Sequence, residues 1–293
     1  MEIRSSTDFV RMTRAALAAA GFVRMESDGM VWWESTVIPS VERGTWAGGD
    51  TRHTPAAPPA QVPRSARDDN GGVLVLLHGV NDQAGTWFTV APALAQRFRV
   101  ILPDLPGHGE SDPRIGELPI SMIVERIAAI LPEEPFTLLG NSLGGWIAML
   151  YTLRHPERVR TLILEASGGL SRPFAVPVLA TNREEARIIL RAVHGPEFNA
   201  PDWAVEGLLA RAQDSPMLRV TEAAEHHVDA RLGDVRVPTH LLWGADDGVL
   251  PLSYAEELQR GLPGARLHVL EGAAHIPHLQ QPQRFLECLT AIS

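Results

Sequence analysis

Short apolar runs recur along the chain, and segments with a helical spacing of apolar positions separate them. Six of the runs have the length and character of strands that are buried on both faces. They lie at residues 73–77, 99–104, 136–140, 160–165, 239–244 and 266–270. Helical periodicity is found at residues 87–97, 120–131, 143–154, 252–262 and 282–291. This alternation predicts an α/β fold with a mostly parallel central sheet and helices on both of its faces.

The segments outside this alternation indicate the domain organisation. Residues 1–38 predict an N-terminal helix at 6–20 and strands at 30–33 and 36–38. Residues 39–72 are dominated by Gly, Pro, Ser, Asp and Arg, which predicts a flexible surface loop. Residues 168–235 contain scattered prolines and no strong strand, which predicts a helical cap inserted after the strand that ends near residue 165. The core is then expected at 73–167 and 236–293.

Composition and charge narrow the classes of partner. Hydrophobic residues make up 45% of the 293 residues, and the formal net charge is −9. Without a cluster of Lys and Arg, the chain is not expected to bind nucleic acid. No apolar run reaches the roughly 18 residues of a membrane span, and no clean signal-peptide cleavage site follows the apolar stretch at 15–23. We therefore expect a cytoplasmic protein, and the only cysteine, Cys288, excludes an intramolecular disulfide.

A sharp turn is predicted between the strand at 136–140 and the helix at 143–154. Its sequence is Gly140-Asn141-Ser142-Leu143-Gly144, the G-x-S-x-G pattern that lifts a serine hydroxyl above the edge of a sheet. The small residues at both ends allow close approach of the backbone. The start of the following helix offers free N–H groups to a developing negative charge. Ser142 is therefore the candidate nucleophile.

A serine hydroxyl needs a base that takes its proton, and the base needs an acid that orients it. His275 follows the strand at 266–270 and is the candidate base, with His278 as its rival. Asp246 and Asp247 both follow the strand at 239–244, and the residue pattern alone leaves open which of them faces the histidine. The chain order of serine, acid and histidine is that of a known class of hydrolases.

An acyl-transfer site also needs donors for the oxyanion and contacts for the substrate. The predicted oxyanion donors are the N–H groups of Leu143, after the nucleophile, and of Val80, in the loop after the first buried strand. Further candidates for contact with the substrate are Trp87, Asn141, His278 and Trp203. The adjacent His226 and His227 point different ways on a helix, so no metal and no cofactor are expected.

Several separate motifs together resemble the α/β-hydrolase family over residues 73–165 and 236–290. They are His78-Gly79, Asp104-Leu105-Pro106-Gly107-His108-Gly109-Glu110-Ser111, Gly140-Asn141-Ser142-Leu143-Gly144-Gly145, Gly244-Ala245-Asp246-Asp247-Gly248-Val249-Leu250-Pro251 and Gly272-Ala273-Ala274-His275. In the family's G-x-x-D pattern the acid stands three residues after the glycine, so the resemblance implies Asp247 as the acid. It also implies that the segment beginning at Asp104 is structural and has no direct part in the chemistry.

Two branches of the family are most similar to this chain. The carboxylesterase and monoacylglycerol-lipase-like branch shares Asn141 before the serine and the segment Glu165-Ala166-Ser167-Gly168-Gly169-Leu170. The carbon–carbon hydrolases of aromatic meta-cleavage share the G-N-S-x-G-G pattern. The chain departs from the second branch in its oxyanion loop, Gly79-Val80-Asn81-Asp82, and in having no Trp after His275. The first branch is therefore favoured.

The resemblance implies a serine hydrolase that cleaves a carboxylic ester of a hydrophobic substrate through an acyl-enzyme intermediate. One alternative is a carbon–carbon bond hydrolase that acts on a meta-cleavage-type diketone. An alternative from another class is a ligand-binding protein that keeps the fold and the triad without catalysis. The expected partner is a small-molecule ester, and a homodimer is a candidate assembly.

Overall fold

An eight-stranded sheet forms the centre of the computed structural model, which describes residues 5–36, 72–112 and 116–292. In chain order, the strands of this sheet and of a second, two-stranded sheet are β1 Phe22–Ser27, β2 Met30–Ser35, β3 Val73–Leu77, β4 Arg99–Pro103, β5 Leu118–Pro119, β6 Phe136–Asn141, β7 Val159–Glu165, β8 Val220–Thr221, β9 Thr239–Gly244 and β10 Arg266–Leu270. The central sheet has the order β1-β2-β4-β3-β6-β7-β9-β10, and β5 pairs with β8 separately. The α/β architecture predicted from the sequence is confirmed.

Helices cover the sheet and connect its parallel strands. They are α1 Ser6–Ala19, α2 Ala91–Leu94, α3 Ile120–Ile130, α4 Leu143–Arg154, α5 Arg183–His194, α6 Asp202–Gln213, α7 Leu252–Gly261, α8 Pro277–Gln280 and α9 Pro282–Ile292. Strands β1, β2 and β4 pair antiparallel at one edge, whereas the six strands from β4 to β10 in the sheet order pair parallel. In the described ranges, no helix has both the length and the apolar character that crossing a membrane requires.

Alternation along the central strands explains why both faces of the sheet are covered. On β3, Val75 and Leu77 belong to a core cluster that includes residues of α3, α4 and α7. Their neighbours Leu74 and Leu76 point the opposite way and join a cluster with residues of α1, α2 and α9. Because successive side chains of a strand alternate between its faces, a continuous apolar run requires two apolar layers.

One predicted helix is broken in the structure. The pattern at 87–97 predicts a continuous helix, but a short 3₁₀ helix at Ala84–Thr89 is followed by the four-residue helix α2. Pro92 lies inside the predicted helix and has no N–H to donate to the carbonyl of Phe88. The other predicted helices and all six core strands are confirmed, with ends that differ by one residue at most.

The N-terminal segment forms a hairpin that the apolar pattern indicates only in part. Strand β1 was not predicted, although Asp28 and Gly29, both with positive φ, form the tight turn that joins it to β2. The prediction of a strand at 36–38 is wrong at Thr36, which is in no strand, and residues 37–38 lie outside the described ranges. The flexible loop predicted at 39–72 also lies outside them, apart from Gly72.

Residues 168–235 contain α5, α6 and several short 3₁₀ helices. The two long helices pack against each other through a small apolar cluster of their own, which includes Ile189 and Val205. The two-residue strand β8 was not predicted, and it pairs this segment with β5. The assignment of the segment as a separate cap domain remains a prediction.

A buried carboxylate organises the loops at the carboxyl end of β4. Asp104 accepts hydrogen bonds from the backbone N–H of Ala84 at 2.6 Å and of Glu110 at 2.7 Å. Burial raises the pKa of this carboxyl to about 6. Ser111 donates to the carbonyl of Asp104 and accepts from the N–H of Val31, which ties the N-terminal hairpin to this loop. The contacts agree with a structural role for the Asp104 segment.

Replacement of Ser111 by alanine is expected to lower the stability of the fold. The side chain is buried, and its removal leaves the N–H of Val31 without its acceptor, which costs about 1–3 kcal/mol. The free energy of unfolding in urea measures the loss. Ser171→Ala serves as the control, because Ser171 is exposed. Equal stabilities of the two variants would contradict this role for Ser111.

Candidate active site

The predicted nucleophile stands on a strained turn between β6 and α4. Ser142 has φ 52° and ψ −113°, a left-handed conformation that residues other than glycine rarely adopt. A Cβ at Gly144 would collide with the carbonyl oxygens of Leu77 and His78 at the end of β3. Only glycine therefore permits the close approach of α4 to β3. The backbone N–H of Ser142 donates to the carbonyl of Glu165 at 3.0 Å, which fixes the turn to β7.

The predicted base and acid are in direct contact beside this turn. Nδ1 of His275 lies 2.9 Å from Oδ2 of Asp247, and both side chains are buried. The other carboxylate oxygen of Asp247 accepts from the N–H groups of Val249 and Leu250 at 2.8 and 2.9 Å. Because a carboxylate can only accept, the ring proton is on Nδ1, and Nε2 is left as the proton acceptor.

The two adjacent aspartates that follow β9 have different environments in the structure. Asp247 is buried against His275, whereas the side chain of Asp246 is exposed to solvent. The backbone N–H of Asp246 donates to the carbonyl of Ala273 at 2.9 Å, which joins the loop after β9 to the loop after β10. The geometry thus agrees with the choice of Asp247 that the family resemblance implies.

The loop after β3 lies against the nucleophile. A Cβ at Gly79 would lie 2.8 Å from Oδ1 of Asn141 and 3.4 Å from Cβ of Ser142, so this loop approaches the serine closely. Val80 follows Gly79 directly, and Leu143 is the first residue of α4, where an N–H has no acceptor within the helix. The loop that carries Val80 and the first residue of α4 thus both adjoin Ser142, and the role of the two amides as oxyanion donors remains a prediction.

The ring of His78 stabilises this loop through two hydrogen bonds. Its Nδ1 donates to the carbonyl of Gly79 at 2.7 Å, and its Nε2 accepts from the N–H of Leu105 at 2.9 Å. Both ring nitrogens are engaged only if the imidazole is neutral, and burial lowers the pKa of His78 to about 4. The ring therefore holds the loop in place and carries no charge at neutral pH.

The four residues predicted to contact the substrate differ in their exposure to solvent. Trp87 and His278 are fully buried and pack on each other at 4.2 Å between ring centroids, and Trp203 is 37% exposed on α6. Asn141 is buried, and its Nδ2 donates to the carbonyls of His275 and Glu165. The placement of Trp87 and His278 corrects the prediction, because side chains inside the core present no surface to a substrate. Trp203 faces solvent, and Asn141 bridges two loops.

The last turn of α5 docks onto the loops that carry the acid and the base. The carbonyl of Ala192 accepts from the N–H of Gly248, and the carbonyl of Val193 accepts from the N–H of His275, both at 3.1 Å. The carbonyl of His194 accepts from Nε2 of Gln280 at 2.7 Å. Carbonyl groups at the end of a helix have no partner within it, and here they bind the site.

Residues that the sequence pattern did not single out complete the surroundings of His275. Oε1 of Gln280 accepts from the N–H of Ala274 at 2.8 Å, and the carboxylate of Glu165 binds His278. A charged residue at the end of a buried strand is unusual, and this signal in the sequence would have been enough to find Glu165. In the ranges that the structure describes, no three His, Cys, Asp or Glu side chains are grouped so that they could hold a metal ion.

Comparisons with known proteins identify a family and several relatives of this chain. The model of the alpha/beta hydrolase family matches residues 74–287. A pimeloyl-[acyl-carrier protein] methyl ester esterase of Aeromonas hydrophila is 34% identical over 251 residues, which cover 76% of this chain and 96% of that protein. The monoacylglycerol lipase abhd6-B of Xenopus laevis is 25% identical over 248 residues, which cover 74% of each chain.

A solved structure shows the same similarity in three dimensions. It is a meta-cleavage product hydrolase from Pseudomonas fluorescens IP01, with a TM-score of 0.65 and 25% identity. The match covers 76% of this chain and 90% of that chain. Relatives and neighbours thus come from both of the branches that the sequence motifs resemble.

Replacement of His194 by phenylalanine is expected to weaken the pH dependence of stability. Burial lowers the pKa of His194 to about 4, so the unfolded chain, with a pKa near 6.5, takes up its proton first as the pH falls. The contribution of His194 to the free energy of unfolding is therefore fully present above pH 6.5 and decreases toward pH 4, by on the order of 2 kcal/mol. The ring stacks on Phe198 at 4.3 Å, and phenylalanine preserves that contact.

Urea unfolding at pH 7 and at pH 4.5 measures this effect. The free energy of unfolding is expected to fall less between the two values in His194→Phe than in the wild type. A remaining fall is expected from His78 and from His108, whose pKa burial lowers to about 3. An identical pH dependence in both proteins would show that the pKa of His194 is not lowered in the folded protein.

Proposed function

Because the chain belongs to the alpha/beta hydrolase family, we propose that it is a serine hydrolase of carboxylic esters. The observation that carries the proposal is the buried 2.9 Å contact between Asp247 and His275 beside the strained turn of Ser142. This combination supports the roles of Ser142 as nucleophile, His275 as base and Asp247 as orienting acid. We propose further that residues 168–235 form a cap that covers the site.

The first half of the reaction transfers the acyl group to the enzyme. Oγ of Ser142 forms a bond to the carbonyl carbon of the ester while its proton passes to Nε2 of His275. Asp247 keeps the proton of Nδ1 in place and stabilises the imidazolium that forms. The N–H groups of Val80 and Leu143 donate to the oxyanion. The intermediate then collapses, and the imidazolium returns its proton to the departing alkoxide, which leaves as an alcohol.

The second half of the reaction releases the acid. A water molecule gives its proton to Nε2 of His275 and attacks the acyl carbon. The bond between this carbon and Oγ of Ser142 breaks, and the serine oxygen recovers the proton from the imidazolium. A carboxylic acid is the product, and the enzyme returns to its initial protonation state.

The names of the relatives support an ester with an acyl chain as the substrate. One relative is named as a methyl ester esterase of an acyl-carrier-bound acid, and another as a monoacylglycerol lipase. Both substrates are carboxylic esters of aliphatic acids.

A carbon–carbon bond hydrolase is the second candidate, and the similarity to the meta-cleavage product hydrolase favours it. Such an enzyme cleaves a bond between two carbons next to a ketone, and it shares the triad. In this chain Ile276 follows the base, where that branch has an aromatic residue. A panel with p-nitrophenyl esters of increasing chain length and a meta-cleavage-type diketone separates the two activities.

Ser142→Ala is expected to abolish the turnover of p-nitrophenyl esters. The loss of the nucleophile lowers kcat by on the order of 10⁴-fold or more in comparable triads. The release of p-nitrophenolate, followed by absorbance, measures the rate. Ser171→Ala, at an exposed serine, is the matched control and is expected to keep the wild-type rate. Equal rates of Ser142→Ala and the wild type would rule out the proposed mechanism, and an inactive wild type would favour the non-catalytic alternative.

A further inference from the structure

A second acid–histidine pair lies beside the pair of Asp247 and His275. Its members, Glu165 and His278, have side chains with no exposure to solvent. Oε1 of Glu165 accepts from the backbone N–H of His278 at 3.0 Å. Nδ1 of His278 lies 2.9 Å from each of the two carboxylate oxygens. One carboxylate therefore fixes both the backbone and the ring of His278.

Glu165 also contacts the nucleophile turn through its backbone. It is the last residue of β7, and its carbonyl accepts from the N–H of Ser142 at 3.0 Å. Nδ2 of Asn141 lies 3.4 Å from the same carbonyl and donates to the carbonyl of His275 at 3.1 Å. Residue 165 is thus bonded to the turn of the nucleophile by its main chain and to the segment of the base by its side chain.

His278 extends this connection to the segment that follows the oxyanion loop. Its Nε2 lies 3.2 Å from the hydroxyl of Thr86, and its carbonyl accepts from the hydroxyl of Thr89 at 2.8 Å. Both threonines belong to the 3₁₀ helix Ala84–Thr89. Through His278, the carboxylate of Glu165 joins this helix to α8, which begins two residues after His275.

Stability alone gives no reason for a buried acid–histidine pair at this place. Removal of two polar groups from water costs a large desolvation free energy, and well-packed apolar residues of similar volume are often as stabilising. The surroundings are already apolar, since the ring of His278 packs on Trp87 and against the edge of Phe285. What apolar side chains would not supply is a set of directed hydrogen bonds.

We propose that Glu165 is a positioning residue for hydrolysis. It holds α8, and through α8 it holds His275 in register with Ser142. The inference rests on the proposed function, since it assigns His275 the role of the base. Glu165 touches neither the substrate nor the reacting atoms. Its loss is therefore expected to lower kcat and to leave KM unchanged, because a small displacement of a catalytic group lowers the rate by up to about 10²-fold.

The double variant Glu165→Met/His278→Leu separates positioning from stability. The single replacements leave a buried polar group without its partner, and each is expected to lower Tm. The double variant removes both side chains together and leaves the N–H of residue 278 and the hydroxyl of Thr86 without these partners, so its Tm is expected to lie above that of either single variant. Its kcat with a p-nitrophenyl ester is expected to stay at least tenfold below the wild type, in the range that misplacement of the base produces. Recovery of kcat together with Tm would overturn the proposal.

Glu165→Gln provides a second test that does not depend on the folding of the double variant. The glutamine oxygen accepts from the N–H of His278, and its amide donates to Nδ1 once the ring takes the other tautomer. This variant is therefore expected to regain most of the kcat that Glu165→Met loses. A tenfold or larger loss in Glu165→Gln, with an unchanged Tm, would also overturn the proposal.

Two controls make the outcomes distinguishable. Glu157→Met, at an exposed glutamate, is expected to change neither kcat nor Tm. The wild type and Ser142→Ala are assayed with the same ester. If the wild type turns over no ester, the proposed function fails. If the wild type is active, Ser142→Ala is inactive and the double variant matches the wild type, only the positioning role of Glu165 fails.

Discussion

The hydrogen bond between Asp247 and His275 is the interaction around which the surrounding loops are arranged. It is directed, buried and 2.9 Å long, and it leaves Nε2 as the basic nitrogen of the ring. Such a bond forms only if the loop after β9 and the loop after β10 are held in a fixed position relative to each other. Much of the hydrogen bonding at the carboxyl edge of the sheet provides that constraint.

Three separate parts of the chain hold the base. The carbonyl of Val193, at the end of α5, accepts from the backbone N–H of His275, and Asn141 binds its carbonyl. Gln280 fixes the preceding residue and also binds the end of α5. Because α5 contacts both loops, a displacement of this helix would break contacts with the acid loop and the base loop together. The geometry of the base thus depends on the docking of α5.

The local sequence pattern predicted most of the helices and strands of the core. It failed where contacts between residues distant in sequence determine the structure. The apolar runs gave the six core strands, because a strand buried on both faces needs an unbroken apolar stretch. The helix at 87–97 was mispredicted, since its apolar spacing outweighed Pro92. The prediction that Trp87 and His278 contact the substrate disagrees with their complete burial. His278 is bound there by the carboxylate of Glu165, a partner 113 residues away in the sequence that apolar periodicity does not reveal.

Covalent labelling of the nucleophile tests the central claim most directly. A fluorophosphonate reacts only with a serine whose proton a neighbouring base removes, and it needs no knowledge of the natural substrate. Mass spectrometry of the digested adduct is predicted to place the label on Ser142 in the folded wild type and to find none after denaturation. A label on another residue, or no label on the folded protein, would contradict the assignment of Ser142, His275 and Asp247 as one catalytic unit.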